Sequence, residues 1–166
     1  MLMNKEEVFN FMPHRPPFLF IDTVDRVEVP EGVKELSEVA SKDLVGTHVV
    51  ANFSVTQDLE ILKGHFPGNP ILPGVIQIEM MAQASAFVSL ALNIEDRDSY
   101  KVETLLLGAE GAKFRKPIVP GMDLEIHATM DKSRGLIAHY SCEIFSDGKK
   151  VSEAKILAQL KIGKRD

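Results

Sequence analysis

The sequence predicts an α+β fold in which a curved antiparallel sheet wraps around one long central helix. Three observations lead there. The run from Ile71 to Leu92 is apolar over a length no ordinary strand reaches. Three later segments alternate apolar and polar residues with a period of two. The stretches "DKSRG" and "SDGKK" that join them have hairpin-turn chemistry. Strands with one apolar face need a cover, and a helix apolar nearly all round needs an enclosure, so each solves the other's problem. Ala82, Ala84, Ser85, Ala86, Ser89 and Ala91 on that helix would allow the sheet to approach closely.

Taken in order, Asn4 to Phe11 reads as a short amphipathic helix, with Asn4 as N-cap and Glu6 and Glu7 in its first turn. "MPHRPPF" cannot continue it, because its prolines impose an extended turn. "FLFIDTVDRVEV" reads as a strand, Pro30 to Asp43 as a polar loop, and "THVVANFSVT" as a second strand. After the helix, "MDLEIHATM" points Leu124, Ile126, Ala128 and Met130 inward. "GLIAHYSCEI" does so with Leu136, Ala138, Tyr140, Cys142 and Ile144, and "SEAKILAQLKI" with Ala154, Ile156, Ala158, Leu160 and Ile162.

Composition excludes several classes of function. With 166 residues, 45% hydrophobic and 26% charged, the chain is expected to form one domain over residues 1–166 with a substantial core. A net charge of −5 and the lack of any zinc spacing argue against nucleic-acid binding, and the histidines have no metal-ligand spacing. A lone cysteine, Cys142, precludes an intrachain disulfide and fits a reducing, cytoplasmic setting; the N-terminal residues lack the pattern of a secretory signal. Gln77, Glu79, Gln83, Ser85 and Ser89 interrupt the long apolar run, so it reads as a buried helix rather than a membrane span.

Candidate chemistry is concentrated in "GHFPGNPILPGVIQIEMMAQ", residues 64–83. Pro67, Pro70 and Pro73 stiffen the loop that carries His65. Gly74 falls in the first helical turn, where N–H groups lack intrahelical partners and can hold a developing oxyanion. Glu79 follows, with Gln83 one turn on. A base, an acid and an oxyanion site suit elimination of water from a 3-hydroxyacyl thioester. The imidazole takes the C2 proton, a carboxyl kept protonated by apolar surroundings releases the C3 hydroxyl as water, and no cofactor is needed. Plainer roles compete: Glu79 as a solvent-facing glutamate, His65 as a structural hydrogen bonder, Met80 and Met81 as core. His127 and His139 fall on the polar phase of their strands and read as exposed, His48 as structural, and His14 as a shaper of its turn. Glu79 lies about 9 Å along the helix, so His65 must reach back to it or come from a second subunit; spacing leaves both open.

"PHRPPFLFID", "GHFPGNPILPGVIQIEMMAQ" and "AKFRKPIVPGMDL", in this order, resemble the FabZ-type 3-hydroxyacyl-[acyl-carrier-protein] dehydratase family from about Met12 to Ile162. The resemblance implies a hotdog fold, a homodimer often assembled into a hexamer, and catalysis without a cofactor or metal. It implies His65 and Glu79 as the catalytic pair, facing each other across two subunits. Gly74 would donate to the thioester oxygen, Gln83 would be the polar neighbour of the acid, and Phe66 would line the substrate site. The chain departs from the family at Pro16, where Tyr is usual, at Ile61 and Leu62, where aromatics are usual, and in a longer segment from Glu31 to Asp43. These departures bear on the shape of the acyl tunnel. An acidic carrier protein would need a basic patch on this acidic chain; Lys63, Lys113, Arg115 and Lys116 are the candidates, with Arg15 behind them. A hotdog thioesterase and a non-catalytic acyl-binding hotdog protein are the alternative readings.

Overall fold

Asn4 opens the first helix, α1 (Lys5–Phe11), with a reciprocal cap. Its side chain accepts from the N–H groups of Glu6 and Glu7, at 3.0 and 3.1 Å, while Glu7 Oε2 accepts from the Asn4 N–H at 2.7 Å. The helix ends at Met12, before Pro13, and buries Val8 and Met12; Phe11 stacks on Phe87 with ring centroids 5.0 Å apart. The computed structural model describes residues 1–30, 41–91 and 100–164. Of the segment expected as a loop, 31–40 therefore lies outside the described residues, and Ser41–Leu44 forms a 3-10 turn.

Six strands form one antiparallel sheet: β1 (Thr23–Glu28), β2 (His48–Ser54), β3 (Tyr100–Phe114), β4 (Asp123–Arg134), β5 (Ile137–Ser146) and β6 (Lys149–Lys164), in the order β1-β2-β4-β5-β6-β3. The central helix, α2 (Gly74–Ala86), continues as a 3-10 turn through Ala91. Its Met80, Met81, Ala84, Phe87 and Val88 share a core with Val49, Ala51, Ile126, Ala128, Ala138, Tyr140, Ile144, Ile156 and Ala158 from the sheet. Large residues on the helix oppose many alanines on the strands, which is what lets the sheet curve around it. Gly74–Ala91 is long and apolar enough to cross a membrane, yet 72% of it is buried inside the protein, so it serves as the core helix. The expected architecture, a curved sheet around one helix, is the one observed.

Four expectations need correction. β1 starts at Thr23, not Phe18, because the backbone of Phe18 and Phe20 bonds to the Gln83 side chain instead of a strand. β3 was not foreseen: Leu105, Leu106 and Leu107 are consecutive and exposed, and bulges at Leu106/Gly108 and Glu110/Lys113 break its alternation. β4 runs through "DKSR", so the hairpin to β5 is the two-residue turn Gly135–Leu136, with Gly135 at φ 61°. Leu136 therefore sits in a turn, 51% exposed, rather than in the core. The β5–β6 turn is Asp147–Gly148, both at positive φ, as the second turn motif predicted. The buried faces of β4 and β5 otherwise match the expected sets, as do Ala154, Ile156 and Ala158 of β6; the side chains of Leu160 and Ile162 lie outside the described part.

Cys142 lies in this core, its Sγ 3.9 Å from the Met81 carbonyl, and burial pushes its thiol far above the usual range, with the nearby Asp131 and Glu143 charges adding to the shift. A disulfide reagent such as DTNB should leave the native protein unlabelled at pH 8 and label it fully in denaturant. Rapid labelling of the folded protein would show that Cys142 is not enclosed.

Candidate functional site

The loop before α2 is laced by its own backbone. His65 N–H donates to the Leu62 carbonyl and Ile71 N–H to the His65 carbonyl, while Phe66 and Asn69 exchange two hydrogen bonds. Leu72 N–H reaches Ile118 at 2.8 Å, anchoring the loop to the segment before β4. Gly68, at φ 76°, supplies the left-handed residue of the turn. His65 is thereby fixed, and its Nδ1 lies 2.7 Å from the Ile71 carbonyl oxygen. A carbonyl only accepts, so Nδ1 carries the proton and, in the neutral ring, Nε2 keeps the free lone pair. The Phe66 ring, 51% exposed, stacks on the imidazole at 3.9 Å between centroids. The loop therefore presents a base through a defined nitrogen.

Gly74 begins α2, and Pro73 before it provides no side-chain cap. The Ile76 and Gln77 N–H groups bond back to the Pro73 carbonyl at 3.0 and 3.2 Å, which leaves the Gly74 and Val75 N–H groups at the open end of the helix. A Cβ at Gly74 would lie 2.8 Å from the ring of Phe114, so any larger residue there would have to displace that half-exposed ring. Phe114, the last residue of β3, and exposed Val75 flank this helix end with apolar surface.

Glu79, the sixth residue of α2, faces neither bulk solvent nor plain core: its side chain is 20% exposed. Gln83 is buried, and both its amide oxygen and its amide nitrogen are engaged. Its Oε1 accepts from the Phe20 N–H at 2.9 Å, and its Nε2 donates to the Phe18 carbonyl and to Glu79 Oε1, both at 2.9 Å. His14 Nε2 approaches the same Glu79 oxygen at 3.4 Å. His14 was expected only to shape its turn; the turn in fact delivers it to the candidate acid. Sequence reasoning missed this because "PHRPPF" and the helix are far apart in the chain. Glu79 and Gln83 at helical spacing, by contrast, were legible. Within one chain no hydrogen bond or ion pair joins His65 to Glu79 among the described residues, so each belongs to its own cluster.

His48 and His127 form a separate group on the outer face of the sheet. His48 Nδ1 is 2.8 Å from Thr129 Oγ1, His48 Nε2 is 3.1 Å from His127 Nδ1, and His127 Nε2 is 2.6 Å from Glu125 Oε1. Burial, and then the neighbouring His127, lowers the His48 pKa below its ordinary 6.5. His127 is 19% exposed, less than its strand phase suggested, whereas His139 is exposed. A cavity of about 340 Å³ beside this group is lined by His48, Lys113, His127 and Glu143, and neither His65 nor Glu79 borders it. Among the described residues no group of His, Cys, Asp or Glu side chains could hold a metal.

Of the basic candidates, Lys63 and Lys116 are exposed. Arg115 Nη2 instead pairs with Glu153 at 2.8 Å, and Lys113 lies 3.6 Å from the same carboxylate. Arg15 is tied to its own loop through the Met12 and His14 carbonyls and lies 4.1 Å over the Phe9 ring. Ile61 is partly exposed, while Leu62 belongs to the core.

Hydrogen bonds from Lys150 and then Arg115 depress the Glu153 pKa from an ordinary 4.5 to about 2. Because the folded value lies below the unfolded one, this carboxylate adds stability above pH 4.5 and loses its contribution as pH falls toward 2. Glu153→Gln should therefore lower stability at pH 6 and change it little at pH 2, as measured by urea unfolding at the two values. Equal effects at both would contradict the pairing.

A family model for the FabA-like domain matches residues 12–155. A curated relative, the 3-hydroxyacyl-[acyl-carrier-protein] dehydratase FabZ of Anaeromyxobacter sp. (strain Fw109-5), is 37% identical over 96% of this chain and 90% of its own length. Among solved structures, a chain of the dehydratase heterocomplex ApeI:P from Xenorhabdus doucetiae superposes with a TM-score of 0.67 at 20% identity, covering 93% of this chain and 90% of that one. A hot-dog-like protein from Thermanaerovibrio acidaminovorans does so with a TM-score of 0.57 at 15% identity, covering 74% and 88%. These two structures are similar in fold.

Proposed function

Because the chain belongs to the FabA-like family, among the FabZ-type 3-hydroxyacyl-[acyl-carrier-protein] dehydratases, we propose that His65 and Glu79 carry out the dehydration, paired across a subunit boundary. The observation that carries this reading is the tautomer of His65, whose Nδ1 is committed to the Ile71 carbonyl and whose Nε2 is left to accept a proton.

The substrate's thioester oxygen sits at the first turn of α2, where the Gly74 N–H and the positive helix end stabilise negative charge. His65 Nε2 removes the C2 proton, and the C–H electron pair becomes the C2–C3 double bond. The C3–O bond breaks, and Glu79 transfers its proton to the departing hydroxyl, which leaves as water. The product is a trans-2-enoyl chain on the carrier, and proton return from His65 to Glu79 through solvent resets the site. Oε1 of Glu79 holds the contacts with Gln83 and His14, so Oε2 is the oxygen that hands over the proton.

The two-subunit arrangement is supported by the separation of the clusters within one chain and by β3. This strand is the last in the sheet order, and it exposes Leu105, Leu106, Leu107 and Phe114. A long apolar edge of this kind is a template for pairing with a second copy. A homodimer built on it, with further assembly toward a hexamer, works in the cytoplasm of the cell on acyl chains held by an acidic carrier. Lys63 and Lys116 are the cations free of the Glu153 cluster, with Lys113 and Arg115 at its margin. Phe66 and Phe114 are the apolar surfaces offered to the acyl chain.

With 3-hydroxyacyl carrier proteins of several lengths, the protein should release enoyl product and no free thiol. His65→Ala and Glu79→Gln should each lose roughly 10²- to 10⁴-fold in kcat. Mixing the two inactive variants after subunit exchange should restore about a quarter of wild-type activity, since half the dimers carry one intact site of two. Thiol as the main product would favour the thioesterase, and absence of complementation would return the pair to a single chain.

A further inference from the structure

We propose that His14 is a positioning residue for the dehydration, holding Oε1 of Glu79 as the charge-accepting oxygen so that Oε2 is presented to the substrate; this rests on the role given to Glu79 above. His14 Nε2 lies 3.4 Å from Glu79 Oε1, and its side chain is 25% exposed. Its other nitrogen, Nδ1, is buried and has no hydrogen-bond partner among the described residues. A histidine that only shaped a turn would be expected to use both nitrogens on the loop around it. Here the loop is held by other groups: Arg15 Nη1 donates to the carbonyls of Met12 and His14, both at 2.7 Å, and Gln83 holds Phe18 and Phe20. Among the described residues, the polar contact of the His14 side chain is with Glu79.

The chemistry follows from which groups meet at one oxygen. A buried N–H without an acceptor is costlier than a bare lone pair, so the ring carries its proton on Nε2. Oε1 then accepts from the Gln83 amide at 2.9 Å and has the protonated His14 Nε2 3.4 Å away. In the protonated carboxyl, an oxygen facing two donors is the carbonyl oxygen, which leaves the acidic hydrogen on Oε2. When Oε2 gives that proton to the C3 hydroxyl and water departs, the new negative charge spreads onto Oε1, beside which the Gln83 amide and the His14 ring nitrogen already lie. The interaction strengthens as the carboxylate forms, so it acts on the rate of the step more than on substrate binding.

The test compares His14→Gln, His14→Asn and His14→Ala in the full-length protein. A glutamine amide nitrogen can reach the place of Nε2, and an asparagine amide can reach only that of Nδ1. His14→Gln should keep kcat within a few-fold of wild type, while His14→Asn and His14→Ala lose roughly 10- to 100-fold in kcat with KM nearly unchanged. Adding His14→Asn to Glu79→Gln should cause no further loss beyond that of Glu79→Gln alone. Glutamine and asparagine failing alike, or all variants remaining active, would overturn the proposal, as would a KM effect in place of a kcat effect. If His14→Ala does not fold, the glutamine–asparagine pair decides the matter at nearly constant polarity. A wild-type protein without dehydratase activity would refute the proposed function itself, and full activity in Glu79→Gln would refute the role given to Glu79.

Discussion

A primary amide buried in an apolar helix has a carbonyl oxygen and two N–H donors to satisfy, and an unmet group costs about 1–3 kcal/mol. At Gln83 this demand organises the candidate site. One amide oxygen takes the Phe20 N–H, and one amide nitrogen serves both the Phe18 carbonyl and Glu79. The extended segment before β1 is thus drawn onto the face of α2 that bears the acid, and it brings His14 with it. The same bonds explain why β1 begins late. Backbone groups committed to a side chain on the helix are not available to a neighbouring strand. Position of the segment, orientation of the carboxyl and start of the sheet are three results of one satisfied side chain.

The other half of the site is built on different physics. Around His65 the chain uses short backbone hydrogen bonds, prolines and a glycine to fix a loop that has little core of its own. Its rigidity sets the tautomer through a single contact with the Ile71 carbonyl. One cluster is held by burial and one by backbone lacing, and they are connected through the few residues from Ile71 to Gly74. The proposed oxyanion turn lies at that junction, and in the proposed mechanism a second chain brings the complementary half of loop, helix end and acid to one substrate.

Much of this was legible in the sequence because the relevant signals are local. The capping box at Asn4, the alternation of β4 to β6 and the Asp147–Gly148 turn are each determined within a few residues. Glu79 and Gln83 stood out for the same reason: two polar groups a helical turn apart in an apolar run. β3 escaped because its bulges interrupt the period of two and because its three consecutive exposed leucines do not alternate with polar residues. Leu136 was misplaced by carrying the alternation one residue too far into a two-residue turn. The role of His14 and the pairing of Arg115 and Lys113 with Glu153 depend on tertiary placement, which no local pattern encodes.

Gly74 and Phe114 form a notch and its plug: the ring sits where any larger residue on the helix would place its first carbon. The two positions are therefore coupled for anyone who wishes to retailor the proposed substrate site for bulkier or branched acyl groups. Shrinking the aromatic alone opens space beside the helix end, whereas enlarging the glycine alone forces the half-exposed ring to shift. A library that randomises both at once explores shapes that neither single-site scan can reach.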